Sequence, residues 1–399
     1  MDEIYKLGDL ADIGRGSSPR PITDPRYFVD GNIPWIKIAD ATVSGKYIYE
    51  TKEHVNDYGA SFSKKLKPNT LIIAASGTLG FPKFLGCEGC IHDGWIYFSD
   101  IKENLILPDY LYYYLITLRG YYNNLSYGAA IQNINTPIIK KTKIYLPTIR
   151  EQKQIAEMLS AYDRLIENNN HRIAIMEDIA QELYKEWFVR FRFPEYKNTK
   201  FENGIPLGWK RLHFSDIAEI GRGSSPRPIS DQRYFENGSI PWIKIADATS
   251  SKIYIHTTKE HVNDYGASFS RKLPAGSLIL AASGTLGFPM FLAVEGCIHD
   301  GWLYFSNFEK KYSKYIYYVL MDLRKVFNNV SYGAAIQNIN TEIVRKSNIL
   351  IPDDTTLFKF AGYVEELHNS IMNLQQQNQN LEKQRDMLLP RLMSGKLEV

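Results

Sequence analysis

Little in this sequence points to chemistry carried out by the chain itself. It has no phosphate-cradling loop ending in Lys and Ser or Thr, and Gly14-Arg15-Gly16 lacks the third glycine of a dinucleotide fingerprint. That triplet is expected to be a turn. No Gly-x-Ser-x-Gly elbow accompanies Ser76, His92 and Asp93, and neighbouring His and Asp side chains on a strand diverge, so a hydrolase trio is not expected. Cysteine is scarce, with three in 399 residues. Cys87 and Cys90 have metal-knuckle spacing, but no second pair completes a tetrahedral site, so no metal is expected. No run of eighteen apolar residues is present and the first ten residues lack a signal-peptide core, so a cytoplasmic protein without a membrane partner is expected. A net charge of +3 is too small to argue for nucleic acid by itself; such an argument needs local clusters.

What is present is a duplication. Residues 13–22 recur at 220–229, 33–40 at 240–247, 51–62 at 258–269, 74–82 at 281–289 and 90–95 at 297–302, all 207 residues apart. Residues 126–135 return at 331–340, 205 residues on, so two residues are lost between these blocks. The equivalent of Cys87 is Val294, which also argues against a metal that the fold requires. A period this long is a repeated domain and not a solenoid. In each copy, runs such as 35–38, 71–75 and 95–98 read as strands, followed by a helix (108–119; 311–326) and a last strand (143–146; 347–351). Hydrophobic content of 44% and 27 tyrosines suit globular domains with ordinary cores.

Each copy runs into a long helix. From residue 151 to 193, bulky residues at Ile155, Leu159, Tyr162, Ile166, Asn169, Ile173, Met176, Ala180, Leu183 and Trp187 alternate by threes and fours, the seam of a coiled coil. Phe360, Val364, Leu367, Ile371, Leu374, Asn378, Leu381, Leu388 and Leu392 repeat it. Two such helices in one chain bury their seams most simply against each other, antiparallel and pseudo-twofold. The expected organisation is α+β, with two similar globular α/β domains (1–150 and 194–352), a first spacer helix (151–193) and a second (353–399). Tyr184, Trp187 and Phe188 near the first helix's end are expected to stay partly exposed and to bind a partner.

The basic residues fall at matched positions: Arg15, Arg20, Arg26 and Lys37 in the first copy, Arg222, Arg227, Arg233 and Lys244 in the second. Arginines on a rigid loop reach guanine edges or grip phosphates, with a solvated charged loop as the competing reading. Ser76, Thr78 and His92, with Ser283, Thr285 and His299, add hydroxyls and an imidazole, on turns that otherwise only link strands. Gln132 and Asn133, with Gln337 and Asn338, place amides suited to adenine, or else a polar cap before the final strand. Lys83 becomes Met290, which excludes a shared role for that charge.

The chain resembles the specificity subunits of type I restriction-modification enzymes over essentially its full length. The likeness rests on Gly128 to Asn135 running into Ile144-Tyr145-Leu146-Pro147 and Glu151-Gln152, and on Leu183-Tyr184-Lys185-Glu186-Trp187-Phe188. Ile205-Pro206-Leu207-Gly208-Trp209 and Leu388-Leu389-Pro390-Arg391-Leu392 complete it. The resemblance implies two target recognition domains, each reading half of a split site in double-stranded DNA, with spacer helices that set the spacing. It places methylation in modification subunits carrying S-adenosylmethionine, and cleavage in restriction subunits using ATP and Mg, leaving this chain non-catalytic and without cofactor. Because the copies are near duplicates, an interrupted palindrome is the expected target. A duplicated coiled-coil adaptor that binds proteins and an enzyme with an unrecognised duplicated site are the competing readings. Asp353-Asp354-Thr355-Thr356, where the first copy has Thr148-Ile149-Arg150-Glu151, leaves the start of the last helix open.

Overall fold

The structure, a computed structural model, describes residues 3–77, 79–126, 133–250, 253–284, 286–331 and 338–398. It divides into two compact units, one of residues 1–168 with 378–399 and the other of 169–377. The divisions fall within both long helices, so each unit holds a globular copy and part of each helix.

Both copies contain the same pair of sheets. In the first, a five-stranded sheet has the order Asp12–Arg15, Trp95–Ser99, Leu71–Ala74, Pro82–Leu85, Tyr47–Ile48, and a four-stranded sheet has the order His54–Val55, Ile33–Ile36, Gly89–Ile91, Lys64–Leu66. The pairing is antiparallel apart from Tyr47–Ile48 on Pro82–Leu85 and Ile33–Ile36 on Gly89–Ile91. Successive side chains on a strand face opposite ways, and the strand Leu71–Ala74 is buried on both sides. Ile72 and Ala74 pack with Ile36, Leu85, Ile91 and Trp95. Leu71 and Ile73 pack toward helix Pro108–Thr117 and the long helices, with Leu111, Ile155, Leu159 and Leu389. A strand buried on both faces reads as a continuous apolar run.

Several boundaries differ from the sequence reading. Gly14 and Arg15 are not in a turn but in the strand Asp12–Arg15, paired with Ile96 to Ser99. Gly14 is needed there because a Cβ would lie 2.3 Å from the Tyr97 hydroxyl. The strand at Trp35 ends at Ile36, and Ile38 opens the helix Ile38–Val43, with Asp40 accepting a hydrogen bond from the Lys37 amide. Strands Glu3–Lys6 and Lys210–His213, which pair with Lys143–Leu146 and Asn348–Ile351, carried too little alternation to be seen.

The long helices are Ile149–Tyr184, of 36 residues, and Asp354–Met393, of 40. The first widens into a π turn at Lys185–Val189 and does not continue as α-helix to 193. Both starts are capped at equivalent positions. Thr148 and Glu151 form a reciprocal box, and Asp353 accepts from the Thr356 amide at 2.9 Å, so the changed sequence at 353–356 keeps the capping function. Within each unit the start of one long helix lies against the end of the other. Ile155 and Leu159 pack with Leu389 and Leu392 in one, and Ile173 and Ala180 with Phe360, Val364 and Ile371 in the other. The helices therefore run antiparallel.

Tyr184, Trp187 and Phe188 correct the expectation of an exposed docking patch. Each is at most 6% exposed, because Tyr315, Tyr318, Phe360 and Trp209 of the same unit close over them. They form the seat of the second globular copy. Trp187→Ala is expected to lower stability by about 3–5 kcal/mol, measured by denaturant unfolding. A loss below about 1 kcal/mol would contradict the packing.

The two seats differ in chemistry. Beneath the first copy, Asp163 accepts from Arg385 at 2.6 Å and from the Tyr113 hydroxyl, and Lys46 pairs with Asp109. The counterparts of Asp163, Asp109 and Lys46 are His368, Lys314 and Ile253. Lys314 donates to the Tyr254 oxygen at 2.8 Å, and the His368 ring is hydrogen-bonded on both sides, through Nδ1 with the Tyr254 hydroxyl at 2.9 Å and through Nε2 with the Tyr318 hydroxyl at 2.8 Å. Burial, and then Lys314, holds the His368 pKa well below that of an ordinary imidazole. A depressed histidine pKa contributes stability that is full above about pH 6.5 and is lost as pH falls below it. The melting temperature is expected to fall on acidification through that range, and His368→Gln to flatten the fall. An unchanged slope in the variant would contradict the assignment.

Candidate nucleic-acid interface

At one rim of each globular copy, the turn His92-Asp93-Gly94 gathers the arginine-bearing loop. Arg15 donates from Nε to the Asp93 carbonyl at 2.7 Å, Arg20 pairs with the Asp93 carboxylate, and the Ser18 hydroxyl accepts from the Asp93 amide at 3.2 Å. The second copy repeats all three: Arg222 on the Asp300 carbonyl at 2.8 Å, Arg227 on the Asp300 carboxylate, and Ser225 on the Asp300 amide at 3.3 Å. Gly16 passes so close behind the turn that a Cβ would lie 2.3 Å from the His92 carbonyl oxygen. The loop is therefore held by its backbone and presents its arginines in defined directions.

His92 is half-buried against Trp35, with ring centroids 5.5 Å apart. The Gly94 amide points its proton at Nδ1 from 2.9 Å, so Nδ1 accepts and the neutral ring carries its proton on Nε2. Burial lowers the His92 pKa; Asp93 opposes this, while Lys37, Arg20 and Arg15 add to it. His299 repeats the arrangement. The Asp93 carboxylate also lies 3.0 Å from Nδ1: the two side chains, which would diverge on a strand, converge because the segment is a turn. Because the Gly94 amide already occupies Nδ1, that nitrogen carries no proton for the carboxylate to orient, as a catalytic triad requires.

Lys37 pairs with Glu53 and lies over the Trp35 ring at 4.8 Å, and Lys244 does the same with Glu260 and Trp242. Arg26 grips Asp24 through Nε and Nη2, and hydrogen bonds from Arg26 hold the Asp24 carboxyl below its ordinary range. Arg233 and Asp231 match them. Sequence reasoning named the cations but missed their partners. Four cations in each copy meet three carboxylates, Asp24, Glu53 and Asp93, so the local excess is one positive charge. The signal was available, since all three acids recur as Asp231, Glu260 and Asp300.

Ser76 joins the cluster, with its hydroxyl 2.6 Å from where a Gly94 Cβ would stand, and Ser283 lies likewise beside Gly301. Asn133 and Asn338 are exposed, and the Ile134 and Ile339 amides that follow them bond to the carbonyls of Ala75 and Ala282, next to those serines. Thr78, Thr285, Gln132 and Gln337 lie outside the described residues. Lys83 is buried and donates to the Ser44 and Gly45 carbonyls, with burial pulling its pKa down to about 8; its role is structural. Cys90 is packed with Trp35 and Val55, and burial raises its thiol pKa.

A model of the type I restriction modification DNA specificity domain matches residues 2–177 and again residues 206–383. The chain belongs to this family. It carries the specificity domain twice, once for each copy of the repeat. Over its whole length it is 27% identical to the type I restriction enzyme MjaIX specificity subunit of Methanocaldococcus jannaschii, covering 94% of that protein. It is 23% identical to the MjaVIII specificity subunit of the same organism, covering 93% of it. The HindI specificity subunit of Haemophilus influenzae is 22% identical over 74% of this chain and 79% of its own. Among solved structures, the S subunit of a type I restriction-modification system from M. genitalium has the same fold, with a TM-score of 0.59 at 14% identity. That likeness covers 98% of this chain and 96% of the other.

In this specificity protein the paired acids direct the arginines and also weaken their field. Asp93→Asn adds one net positive charge beside Arg20. Non-specific DNA affinity is expected to rise, and the slope of log K against log salt to steepen by about 0.9. Competition gel shifts across a salt series measure both, and an unchanged slope would contradict the clamp.

Proposed function

We propose that this chain is the DNA-recognition subunit of a type I restriction-modification complex, and that its two copies read the same half-site on opposite strands. The observation that carries this reading is the repeated clamp: the same side chains, in the same hydrogen bonds, on both copies. Base edges are read by donors and acceptors at fixed positions, so identical arrays select identical sequences. The resemblance to specificity subunits implies antiparallel spacer helices, which favour inverted half-sites. The target is then an interrupted palindrome.

The chain itself carries no catalysis on this reading; its relatives are named specificity subunits. Methylation is assigned to modification subunits carrying S-adenosylmethionine, and cleavage to restriction subunits using ATP and Mg, in the cytoplasm. With Tyr184, Trp187 and Phe188 buried, the apolar side chains left on the long helices for partner subunits include Ile175, Ile179, Phe358 and Tyr363, all 45% exposed or more. Methylation mapping in a host carrying this chain with its modification subunits tests the proposal. Two identical inverted half-sites are expected; two unrelated half-sites would contradict it.

A further inference from the structure

Residues 51–63 recur unchanged at 258–270, and beyond Glu53 the reading above uses none of them. They build the short helix Asp57–Ala60, capped by Asn56, whose side chain accepts from the Gly59 amide at 2.9 Å. Gly59 lies against the 3-10 turn Pro25–Tyr27 so closely that a Cβ would stand 2.6 Å from the Tyr27 carbonyl oxygen. This approach lays Tyr58 and Phe62 over the buried Tyr27 ring. Tyr58 stacks on it at 5.5 Å, Phe62 meets it edge-on at 5.6 Å, and the two outer rings meet at 5.2 Å. In the second copy Tyr265, Phe269 and Tyr234 repeat these distances as 5.4, 5.5 and 5.2 Å. Tyr58 and Tyr265 are each 51% exposed, and Phe62 and Phe269 each 45%.

The aromatic shelf is fastened to the clamp. Tyr27 donates its hydroxyl proton to the Arg20 carbonyl at 2.9 Å, and Ser63 donates to the Ser17 carbonyl at 2.6 Å. Arg26 projects from the same turn as Tyr27. Single half-exposed aromatics are ordinary on a protein surface. These differ in that both copies keep both rings while other exposed positions have diverged, Val29 to Glu236, Glu50 to Thr257 and Lys67 to Pro274. Covering Tyr27 accounts for the inner faces of the two rings and leaves the outer faces without a role. A paired aromatic surface beside Arg26 matches a polyanion that carries flat bases and thymine methyls.

We propose that Tyr58 with Phe62, and Tyr265 with Phe269, contact base edges of the DNA, with a thymine methyl as the fitting group, and so help to set the half-site. The proposal rests on the DNA-recognition reading. Its test uses the full chain assembled with its modification subunits, a pool of random-sequence duplexes, and sequencing of the bound fraction. Tyr58→Ser with Phe62→Ser is made in the first copy alone, so the second half-site reports on folding and assembly. Base preference is expected to flatten by about tenfold at one or two positions of one half-site, the size of a mismatch. The salt dependence of binding is expected to stay unchanged, since no charge is removed. Two half-sites as sharp as before would overturn the shelf and leave the DNA-recognition reading standing. An unaltered complex that enriches no sequence would overturn both. Should the double variant lose its unfolding transition, Tyr58→Gln and Phe62→Gln are made singly, and unaltered half-sites in both would overturn the proposal.

Discussion

Each candidate interface depends on a single tight turn. At Asp93 the carbonyl, carboxylate and amide each hold a different part of the loop that carries Arg15, Ser18 and Arg20, and the Gly94 carbonyl accepts from Ala75 at 2.7 Å to tie the turn to the sheet. A free arginine carries about 2 kcal/mol of rotamer entropy, much of which is lost when it is immobilised on a ligand. Holding Arg20 against an acid in the unbound protein settles part of that loss in advance. The acid also cancels charge, which weakens attraction to any phosphate backbone. Such a face favours discrimination over raw affinity.

The duplication has been kept on one side and altered on the other. The clamp residues are the same in both copies, whereas the surface facing the long helices has been rebuilt. Asp163 with Arg385 beneath one copy corresponds to His368 between two tyrosines beneath the other. Unpaired buried groups are expensive, so each polar set suits its own seat and fits the other poorly. A domain can therefore keep one surface while its attachment diverges, because the five-stranded sheet separates the two.

Much of this was legible in the sequence, and the failures have physical causes. The repeat, the two long helices and the matched cations follow from residue identity and spacing alone. The strand at Asp12–Arg15 was hidden because Gly14 and Gly16, which read as turn residues, serve there to admit the Tyr97 ring and the His92 carbonyl. The convergence of His92 and Asp93 was hidden because it belongs to a turn geometry that spacing does not encode. Tyr184, Trp187 and Phe188 look exposed on a helix taken alone; the rings that cover them include Tyr315 of the second globular copy and Phe360 of the second long helix, both more than a hundred residues further along the chain. The carboxylate partners of the arginines were visible as repeated letters, but only coordinates show which acid meets which base.

The central claim is that the same face is used twice. Its most direct test replaces Arg20 by Ala in one preparation and Arg227 by Ala in another, and compares the base preferences of the two assembled complexes by sequencing bound DNA. The account predicts that each variant loses discrimination at one position, and that the two positions coincide when one half-site is inverted onto the other. Losses at non-equivalent positions, or a loss in only one of the variants, would contradict it.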